Sequence, residues 1–168
     1  MFLKIFLISL STITNKNHKG KGSIIMNDKM SKVKDEVWNY FKDSQYIFLA
    51  TSEENQPRVR PVTLIYFDKK FWFTTGSNDN KVAQIQKNPK IEFCLIVKKE
   101  DRQGYVRGTG LAKIVKGKEQ KGKIAKQCDF FSDFWESPDD PDYTLIELSI
   151  NEIEYLKPNE INVCKFKI

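Results

Sequence analysis

Two short segments hold the residues whose types and spacing could do chemistry. Gln56-Pro57-Arg58-Val59-Arg60-Pro61-Val62 carries two arginines on an alternating, strand-like run, and Thr74-Thr75-Gly76-Ser77-Asn78-Asp79-Asn80-Lys81 leads from a hydroxyl-rich turn into a helix with Lys81 in its first turn. A cation at a helix start is disfavoured, because the macrodipole already makes that end electropositive. A bound phosphate removes the conflict. It takes the donors present here: a guanidinium fork, hydroxyls, free helix N–H groups and an ammonium. The residues also fit a plainer account, in which Arg58, Arg60 and Pro61 guard an edge strand against pairing and Lys81 answers Asp79.

The elements that must position these groups follow from local patterning. Over residues 31–42, Val33, Val37, Tyr40 and Phe41 recur at helical spacing, with Ser31 as the expected N-cap. Residues 46–51, 58–67, 71–75, 91–97 and 105–115 are apolar or alternating runs rich in β-branched and aromatic side chains, and read as strands. Residues 53–57 form the first hairpin connection and Asp68-Lys69 a tight second one. A helix lies between Thr75 and Ile91, with Asn78 as the expected N-cap, Val82 and Ile85 facing inward and Asn88-Pro89 as its stop. Residues 118–134 are charged and more helical, residues 143–154 alternate again, and residues 161–167 make a last strand. Mostly antiparallel strands with helices inserted between them predict an α+β, mainly β, barrel.

With Asp68 and Lys69 as a two-residue loop, strand partners face Arg60 to Ser77 and Val62 to Thr75, so Arg60, Thr75 and Ser77 share one face. A loop one residue longer or shorter reverses that face. The aromatic residues Tyr66, Phe67, Phe71, Trp72 and Phe73 lack the interleaved cations of a base-stacking platform and read as core. Phe130, Phe131, Phe134 and Trp135 either form a lid over a planar ligand or pack against the barrel or a partner subunit.

Bulk properties narrow the classes. The chain has 168 residues, enough for one domain with its own core, and its twelve Phe and three Trp exclude a disordered protein. The net charge of +6 suggests nucleic acid, but Lys4, Lys16, Lys19 and Lys21 account for most of it, leaving 24 basic against 22 acidic side chains from Met26 onward. A near-neutral folded part argues against nucleic-acid binding. Three separated cysteines and a lone histidine, His18, make neither a metal site nor a Cys-His nucleophile, and suit a reducing compartment. Residues 2–10 are too short an apolar run to span a membrane. Residues 1–25 are expected to be a poorly ordered extension and residues 26–168 the functional domain, in a cytoplasmic protein.

The series Phe48-Leu49-Ala50-Thr51, Asn55 to Val62, Phe73-Thr74-Thr75-Gly76, Lys81-Val82-Ala83-Gln84-Ile85 and Asn88-Pro89 resembles the pyridoxamine 5'-phosphate oxidase-like flavin mononucleotide (FMN)-binding split-barrel family over residues 35–155. The resemblance implies a six-stranded antiparallel split β-barrel with inserted helices. It also implies a homodimer with FMN at the subunit interface. By position, Arg60 matches a phosphate-binding arginine, Val62 and Thr63 match residues along the flavin ring, Thr74 and Thr75 match a pair after the next strand, and Lys81 matches a second phosphate cation. Tyr105 falls where the oxidase places a flavin-contacting glutamine. Arg58, Ser77 and Asn80 complete the cofactor-binding candidates, and no catalytic acid or base is assigned.

Departures from the family pattern bear on the substrate. Ile65 stands where the oxidase has a lysine for its substrate's phosphate, Asn80 replaces a basic residue, and the C-terminus lacks the Arg-and-His segment that closes the oxidase site. The expectation is a flavoprotein oxidoreductase that reduces a small electrophile with nicotinamide-derived electrons and is not a true pyridoxamine phosphate oxidase. A flavin- or haem-binding module without turnover and a deazaflavin-dependent reductase are the alternatives.

Overall fold

The computed structural model describes the backbone of residues 19–168 and side chains from Asp28 onward. Most of the expected extension over residues 1–25 therefore lies outside the described residues. The part from Lys19 is the start of α1 (Lys19–Trp38). That helix begins before Ser31, so Ser31 is internal and not the expected cap: no proline interrupts the stretch ahead of it, and its Gly, Asn and Asp residues do not break the helix. It also ends before Lys42. Tyr40 N–H donates to Val37 O at 3.1 Å and Phe41 N–H to Trp38 O at 3.2 Å, a tighter turn that brings Phe41 under the sheet. The unit from Val37 to Ile168 carries everything that follows.

Seven strands follow: β1 (Ser44–Glu53), β2 (Gln56–Phe67), β3 (Lys70–Gly76), β4 (Lys90–Lys99), β5 (Arg102–Val115), β6 (Tyr143–Leu156) and β7 (Val163–Lys167). Their order is β3-β2-β1-β4-β5-β6-β7, every pair described is antiparallel, and an added β3–β6 pairing closes the ring. The count corrects the expected six. Six strands make the closed ring, and β7 sits outside it on β6, whose residues 143–148 pair with β3 and 152–156 with β7.

The second hairpin is the expected two-residue loop, and the first, expected over residues 53–57, is also only two residues long because β1 runs to Glu53 and β2 starts at Gln56. Glu54 (φ 49°) and Asn55 (φ 65°) join β1 to β2, and Asp68 (φ 52°) and Lys69 (φ 58°) join β2 to β3. Positive φ at both loop positions matches the right-handed twist of the flanking strands. Between β3 and β4 lies α2 (Asn80–Lys87), and between β5 and β6 lie α3 (Lys118–Ala125) and a 3₁₀ turn at Phe131–Asp133.

Alternation places Ile47, Leu49, Leu64, Phe73, Phe93, Val106, Ile146 and Ile153 inside the ring, each at most 2% exposed. Trp38, Phe41, Tyr66, Phe71 and Phe93 form a linked aromatic set, with the Phe41 and Phe71 rings 4.7 Å apart edge to face. A second apolar layer lies outside the ring. Ile65, Trp72, Tyr143 and Leu145 are covered there by Ile124, Cys128, Phe131 and Trp135. The α3-to-3₁₀ segment thus packs over the β2, β3 and β6 edges, where the site lies.

Candidate functional site

The site exists because β2 and β3 part company. They pair only at Phe67–Lys70, Tyr66–Phe71 and Ile65–Trp72, after which β3 stays with β6 and β2 stays with β1. The predicted two-residue loop and its register hold at the hairpin. The expected facing of Arg60 to Ser77 and Val62 to Thr75 does not, since no β2–β3 ladder reaches them. Over residues 56–64 one edge of β2 is left without a neighbouring strand, so its backbone groups are open to a ligand.

A cleft of about 840 Å³ fills the gap. Pro61, Val62 and Thr63 line it from β2, and Thr74, Thr75 and Gly76 from β3. A second cleft of about 640 Å³ is lined by Arg58, Arg60, Asn80, Lys81 and Gln84. Asp79 and Lys81 border both. Eight of the ten candidate residues therefore surround two adjoining spaces.

Arg60 is held by neutral oxygens. It donates to Thr51 Oγ1 at 2.7 Å, to Gln84 Oε1 at 2.8 Å and to Leu49 O at 3.4 Å, and Thr51 Oγ1 donates in turn to Gln84 Oε1 at 2.6 Å. Thr51 and Gln84 are buried, 4% exposed each. Among the described residues no carboxylate lies within ion-pair distance of Arg60. Desolvation first, and the nearby Arg58 charge second, pull its pKa below the ordinary guanidinium value. An anion in the adjoining space would offset both effects. Thr51 and Gln84 were missed by sequence reasoning; Gln84, on the buried face of α2 between Val82 and Ile85, is the signal that could have found them.

Lys81 is placed differently. Its Nζ donates to Asp79 Oδ2 at 2.6 Å and to Thr75 Oγ1 at 2.7 Å, and Thr75 Oγ1 also donates to Asp79. The Lys81 bond, then the Thr75 bond, hold the Asp79 carboxyl below its usual value. The residue before α2 is Asp79, not the expected Asn78, and its side chain caps no helix N–H. The Lys81 ammonium and Thr75 hydroxyl claim that carboxylate instead.

Two candidates lie apart. Ser77 Oγ donates to Pro141 O at 2.7 Å and lies 3.0 Å from Thr144 Oγ1, which ties it to the β6 entrance and away from both clefts. Tyr105 Oη donates to Glu154 at 3.0 Å on the outer face of β5, beside the Arg107–Glu92 and Arg107–Glu154 ion pairs. The aromatic segment divides by side. Phe131 and Trp135 join the outer core, whereas Phe130 and Phe134 line the larger cleft with Asp129 and Asp133. Trp135 borders the cleft as well.

Among the described residues, Cys94, Cys128 and Cys164 form no disulfide. Burial pushes the Cys128 thiol up to about 11, with the Asp129 charge adding to the shift. Among the described residues no group of three or more His, Cys, Asp or Glu is placed to hold a metal, and no helix is long and apolar enough to cross a membrane.

A closed antiparallel ring that splits between two strands, with a cation-bordered cleft in the split, defines a split β-barrel. A family model described as pyridoxamine 5'-phosphate oxidase matches residues 33–157, and the chain belongs to that family. Members of the family bind flavin or haem. Among solved structures, general stress protein 26 from Bacillus anthracis str. Sterne superposes with a TM-score of 0.66 at 21% identity, covering 81% of this chain and 98% of that one. A Clostridium acetobutylicum protein related to general stress protein 26, of the pyridoxinephosphate oxidase family, gives 0.66 at 21% identity, covering 84% and 96%. A heme binding protein from Mycobacterium smegmatis gives 0.63 at 12% identity, covering 74% of this chain and 53% of that one. At these identities the likeness is one of fold. A comparison with curated proteins finds no match.

Proposed function

We propose that this protein is an FMN-binding flavoprotein that passes nicotinamide-derived electrons to a small electrophile in the cytoplasm. The observation that carries the reading is Arg60. Its guanidinium is positioned by buried neutral acceptors, lacks a carboxylate partner among the described residues, and borders a space shared with Arg58 and Lys81. Three cations and two carboxylates, Glu53 and Asp79, line that space. The donor set suits a phosphate.

In this reading Arg60 and Lys81 hold the phosphate, with Arg58 and Asn80 at its margin. Val62, Thr63, Thr74 and Thr75 flank the ring in the larger cleft. The flavin supplies the hydride chemistry when bound; the chain's residues bind it, orient it and limit access. Haem fits less well: the described residues that line the larger cleft include no histidine, cysteine or methionine, and the buried Cys128 thiol is held protonated. The departure from true pyridoxamine phosphate oxidation is supported at Ile65, which is 1% exposed and packed against Trp72, so no cation stands there for a substrate phosphate.

Proteins of this family are commonly dimeric. Strand pairing puts Tyr46, Phe48 and Val59 on one outer face, at 80%, 50% and 64% exposure, together with Ile96 at 44%. A second copy over this face would bury them. Tyr105 is the strand partner of Ile96 on the same face, so its part in cofactor binding requires the second copy.

The test is the visible spectrum of the purified protein, followed by titration with FMN. Two flavin bands and bleaching by an anaerobic nicotinamide nucleotide are expected. A single intense haem band, or no retention of added FMN, refutes the reading. A flavin that resists reduction refutes the reductase assignment and leaves a binding module.

A further inference from the structure

The larger cleft has a wall that the phosphate and ring contacts leave unused. Asp129, Phe130, Asp133 and Phe134 present two carboxylates and two aromatic rings to it at helical spacing, while Cys128 and Phe131 on the same segment turn into the core and Phe130 and Trp135 touch both. The division is informative. A segment that served only to cover the barrel would bury its large aromatics, yet Phe134 is 68% exposed at the cleft. Its ring meets that of Phe130 at 78° with centroids 6.4 Å apart.

The charges on this lining are unbalanced. Lys81 is the lone cation among the cleft's lining residues, and its ammonium is bound to Asp79 at 2.6 Å. Asp129 and Asp133 have no ion-pair partner among the described residues.

We infer that this wall selects the ligand that enters beside the cofactor, and that it takes a planar aromatic cation and rejects aromatic anions. The rings offer faces for stacking and for a cation–π contact. The two carboxylates attract positive charge and repel negative charge. The inference deepens the oxidoreductase reading by naming its substrate class, and in that sense rests on it.

A matched series tests it: N-methylquinolinium, quinoline and quinoline-6-carboxylate share a ring system and differ in charge. Calorimetric titration of each, with the purified protein both as isolated and saturated with FMN, gives the selectivity. The cation is expected to bind about tenfold more tightly than the carboxylate, each exposed charge pair contributing a factor of about two to five. Asp129→Asn with Asp133→Asn should remove most of that preference, and Phe134→Ala should weaken all three ligands, the cation most, because it alone loses a cation–π contact. Equal affinities, a preference for the carboxylate, or no binding by any member overturns the inference even where FMN is retained. If FMN is not retained but the cation preference persists and depends on the two aspartates, the flavin reading and the substrate role fall and only the charge selectivity of the wall stands.

Discussion

Arg60→Ala separates the phosphate role of this side chain from any structural one. The change removes donors to Thr51 Oγ1, Gln84 Oε1 and Leu49 O. It does not strand the buried acceptors, because the Thr51 hydroxyl still donates to Gln84 Oε1 at 2.6 Å. The stability cost should therefore stay near 1 kcal/mol, the net worth of an ordinary hydrogen bond. A charge-assisted contact to a phosphate is worth about 1.5–3 kcal/mol, which makes the FMN dissociation constant rise about 10- to 150-fold. Riboflavin has the same ring and no phosphate, so its affinity should change by less than about twofold. Arg60→Lys keeps the charge and loses the fork, and should fall between wild type and Arg60→Ala. Flavin fluorescence quenching measures both ligands, with thermal unfolding run alongside. Equal weakening of FMN and riboflavin, or an FMN affinity that does not move, would falsify the phosphate assignment.

Three further outcomes are expected. Lys81→Met should weaken FMN about tenfold by loss of a charged contact and return the Asp79 carboxyl toward its ordinary 3.8. Because that pKa is depressed in the fold, its stabilising contribution is present above 3.8 and lost as pH falls below it, so acid unfolding of the variant should lose this component. Cys128 is shifted the other way, from 9.0 to about 11. Its contribution is complete below 9.0 and lost as pH rises through 11, roughly 2–3 kcal/mol in all. Urea midpoints at about pH 8 and about pH 10.5, on either side of the ordinary thiol value of 9.0, should converge in Cys128→Ala relative to wild type. Gly108→Ala sets a methyl against the fully buried Phe93 ring and should cost about 1–3 kcal/mol of stability. Gly117→Ala, with nothing within 4 Å of the added carbon, is the control and should stay within about 1 kcal/mol of wild type.

What could be read from the sequence, and what could not, divides by range of interaction. The Asp68-Lys69 loop sets the register of Ile65 with Trp72 through local turn geometry, and that register is found. Extending it to Arg60 and Ser77 assumes that two strands which start together stay together. Here β3 gains Tyr143–Leu148 of β6 as its partner, buries Tyr143 and Leu145 in doing so, and turns Ser77 toward Pro141 and Thr144. A segment nearly seventy residues away decides the matter, and no periodicity near Ser77 carries that information. The arginine and lysine were visible because charge on a strand and at a helix start conflicts with local rules. Thr51 and Gln84 conflict with little: a threonine suits a strand and a glutamine suits a helix. Yet these two fix where the guanidinium points. The chemistry of the site was thus legible where it violates local preference, and hidden where neutral side chains satisfy it. The same distinction explains the outer wall: Phe130 and Phe134 have the same residue type as Phe131, and only the packing of Phe131 against Tyr143, ring to ring at 4.9 Å, shows which aromatic is committed to the core and which line the cleft.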